Sequence, residues 1–274
     1  MPTSNPSVRL EETPFDGSRL YVPTGPGPHP GVILLHGSGG GTHAPYQLLA
    51  LYLAAHGYAA LAFAYYGAKD FLVGPRECLR DVDLFKTYEA FQWLKTSGYS
   101  RGKKVAIHGA SRGAEQALFL ASLLASKGLE SPDAVAVHAP SDVIYGSWNW
   151  DWNDPKCWLP DLNDPSKKIW NAVCGADPRL LKPEDDIAWR WNAEPFAAGP
   201  RIEIEKYLGP VFISHGTADQ VWSVEQAKRI EVCLTQLGRK VDCHYFEGEG
   251  HQLGALAENR RNQLLLEFLG RHLS

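Results

Sequence analysis

A serine hydroxyl, an imidazole and a carboxylate can together attack a carbonyl carbon, provided the imidazole takes the hydroxyl proton and the carboxylate orients the imidazole. Ser111 stands in Gly109-Ala110-Ser111-Arg112-Gly113, a G-x-S-x-G spacing. Val105-Ala106-Ile107 precede it as a strand-like run, and Ala, Leu and Phe dominate the helix-like run that follows. A buried strand before and a helix after is the context in which this spacing is informative. The turn must be so sharp that only small residues fit at 109 and 113. The serine is then lifted off the sheet edge, beside the free N–H groups and partial positive charge of a helix N-terminus.

In such an architecture the partners are expected in the order serine, acid, histidine. "HGTADQVWS" supplies Asp219 just after the apolar run 210–215, and "FEGEGHQLG" supplies His251 just after the run 240–246. Both would then lie beyond the carboxyl ends of parallel strands, the edge where ligands bind in open α/β sheets. Asp142, past the run 133–139, is the reserve acid; Glu247 and Glu249 are weaker candidates because they sit too near His251 in the chain to hold it rigidly. Acyl transfer also needs donors aimed at the developing oxyanion. The N–H of Arg112 is one, and the glycine-rich loop "LHGSGGGTH" (35–43) offers the other at Ser38, with Gly39 second. A phosphate loop would end in Lys-Ser/Thr, which this loop lacks. His36, His108, His138 and His215 fall near strand ends, but their spacing gives no metal signature. They are expected to form hydrogen bonds beneath the site, with no metal and no cofactor.

These residues need a scaffold to bring them together. The 274 residues are 44% hydrophobic and 21% charged, enough for one large core. "GVILLH" (31–36) and "YAALAFA" (58–64) are continuous apolar runs of strand length, as in strands buried on both faces of a parallel sheet. "PYQLLALYLAAHG" lies between them as a helix. The alternation continues with a helix over 80–98, a strand at 104–108, a helix from Ser111, strands at 133–139 and 210–215, a helix from Ser223, a strand at 240–246 and a last helix from about Ala255. Such alternation implies an α/β fold with a mainly parallel sheet and helices on both faces. Asp16-Gly17 is a hairpin signal that would add an antiparallel edge.

Residues 141–209 break the rhythm. They are rich in Pro, Asp, Asn and Trp and hold seven of the nine tryptophans, so they read as a functional lid or insertion within a single domain spanning 1–274. Trp148, Trp150 and Trp152, with Tyr66 outside the segment, are the expected substrate-binding residues; the tryptophans either wall an apolar acyl or aromatic pocket or pack on a core of their own. The five cysteines lack C-x-x-C spacing and are expected to be mostly reduced, although Cys157 and Cys174 could pair in an oxidising compartment. A net charge of −4 gives no general attraction to nucleic acid or anionic lipid. With neither a bilayer-length apolar run nor a signal-peptide pattern at the start, the chain reads as soluble and cytoplasmic. The expected partner is a small molecule, and oligomeric state is left open.

With these residues assembled, the chain resembles the α/β-hydrolase superfamily. More narrowly, it resembles the catalytic C-terminal domain of acyl-CoA thioesterases and bile acid-CoA:amino acid N-acyltransferases, with a dienelactone-hydrolase-like core. The resemblance runs from about residue 30 to 260 through "LHGSGGG", "ALAFAYYGAKD", "IHGASRGAEQALFLAS", "HAPSDVIYG", "RIEIEKYLGPVFISHGTADQVW" and "EGEGHQ". It implies a triad at Ser111, Asp219 and His251 and an acyl ester or thioester substrate. The acyltransferase branch uses cysteine as nucleophile, so Ser111 favours water as the acceptor. Family thioesterases also carry an N-terminal β-rich domain, for which the residues ahead of Gly31 leave no room. Coenzyme A would need basic residues near its phosphates, and those bordering the expected site are Arg112, Lys69 and Arg76. The expected function is thus serine hydrolysis of carboxylic esters or thioesters. The alternatives are an acyl-CoA thioesterase proper, a peptidase, or a non-catalytic scaffold of the same fold that binds a ligand or partner.

Overall fold

The apolar runs pair side by side because each can bury both faces only between neighbours and under helices. The computed structural model describes residues 7–41, 43–67, 78–174, 177–239 and 241–274. In chain order it begins with β1 (Val8–Glu11), β2 (Arg19–Pro23), β3 (Gly31–Leu35), α1 (Ala44–Ala55), β4 (Ala59–Phe63), β5 (Val82–Asp83) and α2 (Leu84–Thr96). Next come β6 (Val105–Ala110), α3 (Arg112–Ser126), β7 (Ala134–His138) and four short strands, β8 (Trp158–Pro160), β9 (Lys168–Trp170), β10 (Trp189–Trp191) and β11 (Glu194–Phe196). The chain closes with β12 (Val211–Gly216), α4 (Val224–Gln236), β13 (Val241–Phe246) and α5 (Ala255–Leu273).

The main sheet has eight strands in the order β1-β2-β4-β3-β6-β7-β12-β13. β1 and β2 form the expected antiparallel edge, and every pairing from β4 to β13 is parallel. Alternate residues of each strand serve opposite faces. Ile33, Leu35, Ile107 and Val137 join a core roofed by α2, α3 and α4, whereas Val32, Leu34, Ala106 and Ala136 join one roofed by α1 and α5. On the second face Ala60, Ala62, Ala106, Ala134 and Ala136 leave room for Phe212 and Phe268, whose rings meet at 5.5 Å. Each such aromatic side chain removed from water contributes roughly 1.5–3 kcal/mol.

One expectation needs correction. The helix expected over 80–98 begins only at Leu84, because Asp83 caps it by accepting from the Phe85 N–H at 3.0 Å and also accepts from the Asn192 N–H at 2.9 Å. Val82 and Asp83 pair instead with Trp189 and Arg190 of β10. The segment 141–209, expected as a lid or insertion, is built from short 3-10 turns, the β8–β9 ribbon and the β10–β11 pair. Within it Cys157 and Cys174 form a disulfide, leaving Cys78, Cys233 and Cys243 as free thiols. A reducing cytoplasm disfavours such a bond, so the linkage and the expected cytoplasmic location pull in opposite directions. Among the described residues no helix is long and apolar enough to cross a membrane.

Candidate active site

Strand β6 runs into α3 through Ser111, whose backbone sits at φ 55° and ψ −123°. A side-chain-bearing residue rarely adopts this conformation, and holding it there costs about 1–3 kcal/mol. The two glycines of the motif make the turn possible. A Cβ at Gly109 would fall 2.0 Å from the Gly113 carbonyl oxygen, and one at Gly113 would fall 2.3 Å from that of Leu35. The Ser111 N–H donates to the His138 carbonyl at 2.9 Å. Ala114 and Glu115 make the first helical bonds back to the Ser111 carbonyl, so the Arg112 N–H has no acceptor within the helix.

Asp219 and His251 are brought together by the loops that follow β12 and β13, two adjacent parallel strands. His251 Nδ1 lies 2.7 Å from Asp219 Oδ2. A carboxylate only accepts, so Nδ1 carries the hydrogen, and in the neutral ring the lone pair is on Nε2. Asp219 Oδ1 accepts from the N–H groups of Val221 at 2.8 Å and Trp222 at 3.0 Å. Burial alone would push the Asp219 carboxyl up, but the His251 bond and the Trp222 and Val221 amides outweigh it and hold the carboxyl below its ordinary range. Asp142 is occupied elsewhere: both its oxygens accept from Arg229, at 2.6 and 2.7 Å.

The glycine-rich loop after β3 lies against the serine turn, since a Cβ built on Gly37 would be 3.3 Å from Ser111 Cβ and 3.9 Å from its Oγ. Ser38 and Gly39 form the following turn, closed by Gly40 N–H donating to Gly37 O at 3.3 Å. The two tyrosines of "AYYG" support this loop from below: Tyr65 donates to the His36 carbonyl at 2.7 Å and Tyr66 to that of Gly37 at 3.4 Å. Tyr66, expected to touch substrate, is buried here. The His36 ring stacks on Tyr65 at 4.1 Å, and burial pushes its pKa down to about 3.

Arg112 does not border the site as a free cation. Its side chain is 6% exposed, and its guanidinium lies 2.9 Å from Glu115 Oε2 and donates to the Gly146 carbonyl at 2.8 Å. Glu115 Oε1 accepts from Trp189 Nε1 at 2.7 Å and the Tyr145 N–H at 2.9 Å. Burial drives the Glu115 carboxyl up to about 7 against the pull of Arg112. This cluster fastens the insertion to the first turn of α3. Lys69 and Arg76 lie outside the described residues.

The tryptophans of the insertion divide. Trp189 and Trp191 are buried in the main core, Trp158 and Trp170 pack edge to face at 5.0 Å, and Trp148 meets Trp150 at 5.0 Å while resting on the core. Trp152 offers its carbonyl to Trp158 Nε1 at 2.8 Å. Sequence reasoning overlooked an aromatic pair beside the histidine. Tyr145 stacks on Trp222 at 5.1 Å, and Trp222 stands 6.3 Å from the His251 ring. Their chain positions, "DVIYG" and "DQVWS", gave one available signal: each follows a strand end that already carried a candidate acid.

A mostly parallel eight-stranded sheet with a strained serine turn, and a bonded aspartate and histidine on loops beyond neighbouring strands, defines the α/β-hydrolase class. Solved structures of that fold agree. An esterase from the Planctomycetes species Thermogutta terrifontis superposes with a TM-score of 0.59 at 18% identity, covering 99% of this chain and 94% of its own. A dienelactone hydrolase from Anabaena variabilis gives 0.57 at 16%, covering 98% and 100%. The family is narrower: the model described as BAAT / Acyl-CoA thioester hydrolase C terminal matches residues 81–255, and the chain belongs to this family. The peroxisomal succinyl-coenzyme A thioesterase of Mus musculus is 36% identical over 209 residues, 75% of this chain and 44% of that protein. Acyl-coenzyme A thioesterase 6 of Homo sapiens is 36% identical over 260 residues, 88% of this chain and 56% of that protein. The chain thus spans about half the length of these curated relatives.

Proposed function

We propose that the chain is a serine hydrolase that cleaves carboxylic esters or thioesters through an acyl-enzyme. His251 Nε2 takes the proton of Ser111 Oγ as the oxygen attacks the carbonyl carbon. The tetrahedral oxyanion is held by the N–H groups of Arg112 and Ser38, with Gly39 beside them. Collapse breaks the bond to the leaving oxygen or sulfur, which receives the proton from His251. Water then repeats the sequence in reverse roles and frees the acid and Ser111. The observation that carries this reading is the 2.7 Å bond from His251 Nδ1 to Asp219, made beyond the same sheet edge where Ser111 is held at φ 55°.

Acyl-coenzyme A is the thioester favoured by the names of the relatives, and small carboxylic esters are the alternative favoured by the esterase fold neighbours. The inward-turned Arg112 leaves a coenzyme A phosphate without that partner, which favours the ester reading at this edge. The test is turnover of p-nitrophenyl butyrate beside release of free thiol from a series of acyl-CoA esters, each with wild type and Ser111→Ala. Hydrolysis of either class that Ser111→Ala abolishes supports the proposal. Turnover of neither by the folded protein contradicts it and leaves the non-catalytic scaffold.

A further inference from the structure

His215 stands next to the last residue of β12, fully buried, with Nε2 2.9 Å from Asp219 Oδ2 and 3.0 Å from the Trp222 carbonyl. Both neighbours only accept, so Nε2 carries a hydrogen shared between them. The oxygen it reaches on Asp219 is the one that bonds His251 Nδ1. Two imidazole N–H groups therefore converge on one carboxylate oxygen, while two backbone amides hold the other.

We propose that His215 is a positioning residue for the reaction: its Nε2–H fixes Asp219 Oδ2 in line with His251 and takes up part of the carboxylate charge that would otherwise hold the His251 proton. This rests on the Ser111, His251 and Asp219 reading given above. A carboxylate that already accepts from three other donors attracts an imidazolium less than one accepting from two. His215 therefore weakens the hold of Asp219 Oδ2 on the Nδ1 hydrogen of His251. His215 itself stays neutral, because burial disfavours its cation more strongly than the Trp222 carbonyl and Asp219 favour it, and a charged His251 would oppose it further. Among the described residues, His138 also faces the pair, its ring bonded to the His251 carbonyl at 3.2 Å and kept neutral by burial, and the Arg261 cation that acts on His138 is itself paired with Glu258.

The experiment reads the His251 titration midpoint by imidazole NMR in wild type, His215→Leu and His215→Gln, together with the acid limb of kcat/KM. His215→Leu should raise the midpoint and the limb by about 0.5–1 pH unit; His215→Gln, which keeps an N–H donor, should stay near wild type. Equal midpoints in wild type and a folded His215→Leu would overturn the proposal. Should His215→Leu fail to fold, the wild-type spectrum decides: His215 with hydrogen on Nε2 and none on Nδ1 throughout the His251 titration supports it, and the opposite tautomer or a titrating His215 overturns it. The midpoint is measured without turnover, so a Ser111 that fails to label with a fluorophosphonate would sink the hydrolase reading separately.

Discussion

His138 Nε2 and the His251 carbonyl oxygen lie 3.2 Å apart. The carbonyl can only accept, so His138 donates through Nε2, and its Nδ1, 3.0 Å from Ser214 Oγ, accepts from that hydroxyl. The same residue receives the Ser111 N–H on its own carbonyl at 2.9 Å. One strand end thereby holds the backbone of both the proposed nucleophile and the proposed base.

Replacing His138 by Leu should leave the His251 carbonyl and Ser214 without this partner. Stability should fall by about 1–3 kcal/mol, and kcat should fall more than KM rises because the His251 loop loses its anchor. Denaturant melts and steady-state kinetics measure the two effects. Unchanged kcat in a destabilised variant would confine His138 to a packing role.

Two aspartates stood as candidates for the acid: Asp219 bonds His251 Nδ1 at 2.7 Å, whereas Asp142 pairs with Arg229. Asp219→Asn should lower kcat roughly ten-thousand-fold by disturbing the His251 tautomer. Asp142→Asn releases Arg229, a partner other than His251, so kcat should stay near wild type. Parallel kinetics on the two variants check the assignment, and the reverse ranking would reassign the acid.

The serine turn was legible because its requirement is local: Gly109 and Gly113 are dictated by atoms within one turn and the adjoining strand. The parallel strands were legible too, since burial on both faces leaves uninterrupted apolar runs. What sequence could not supply were pairings across long separations. Asp83 reads as an ordinary helical residue until Asn192 donates to it, and Val82 becomes a strand only because Trp189 lies beside it. Arg112 reads as a surface cation bordering the site; Glu115 three residues on, together with Gly146 from the insertion, turns it inward. Tyr145 and Trp222 meet beside His251 from two different loops, a contact with no periodic trace in the chain.

Acid should unfold the protein earlier than carboxylate protonation alone requires. Burial pushes His36 and His108 down to about 3 from 6.5. The stability tied to their neutral rings is fully present above about pH 6.5 and is lost as pH falls toward 3, because the unfolded chain takes up protons that the folded one refuses. Each histidine contributes a loss of about 1.4 kcal/mol per pH unit within that window. Denaturant midpoints measured at pH 7.5 and 5 should differ accordingly, and His108→Gln should narrow the difference. Equal midpoints at the two pH values would show that these rings protonate without unfolding.

Alkylation of the unfolded, unreduced protein should modify three thiols, Cys78, Cys233 and Cys243, and prior reduction should raise the number to five. Reduction should also expose the 157–174 ribbon to protease while the main sheet stays folded, since the bond closes a short loop confined to the insertion. Five modified thiols without reductant, in protein taken directly from its native compartment, would favour the cytoplasmic expectation over the linkage.

The proposed hydrolysis depends on an activated Ser111 at the turn between β6 and α3. Intact-mass spectrometry after incubation with a fluorophosphonate, followed by peptide mapping, tests it most directly. One adduct on Ser111, absent in Ser111→Ala and strongly slowed in Asp219→Asn, is the expected result. A folded protein that takes up no adduct, or takes it up at another residue, would contradict the account.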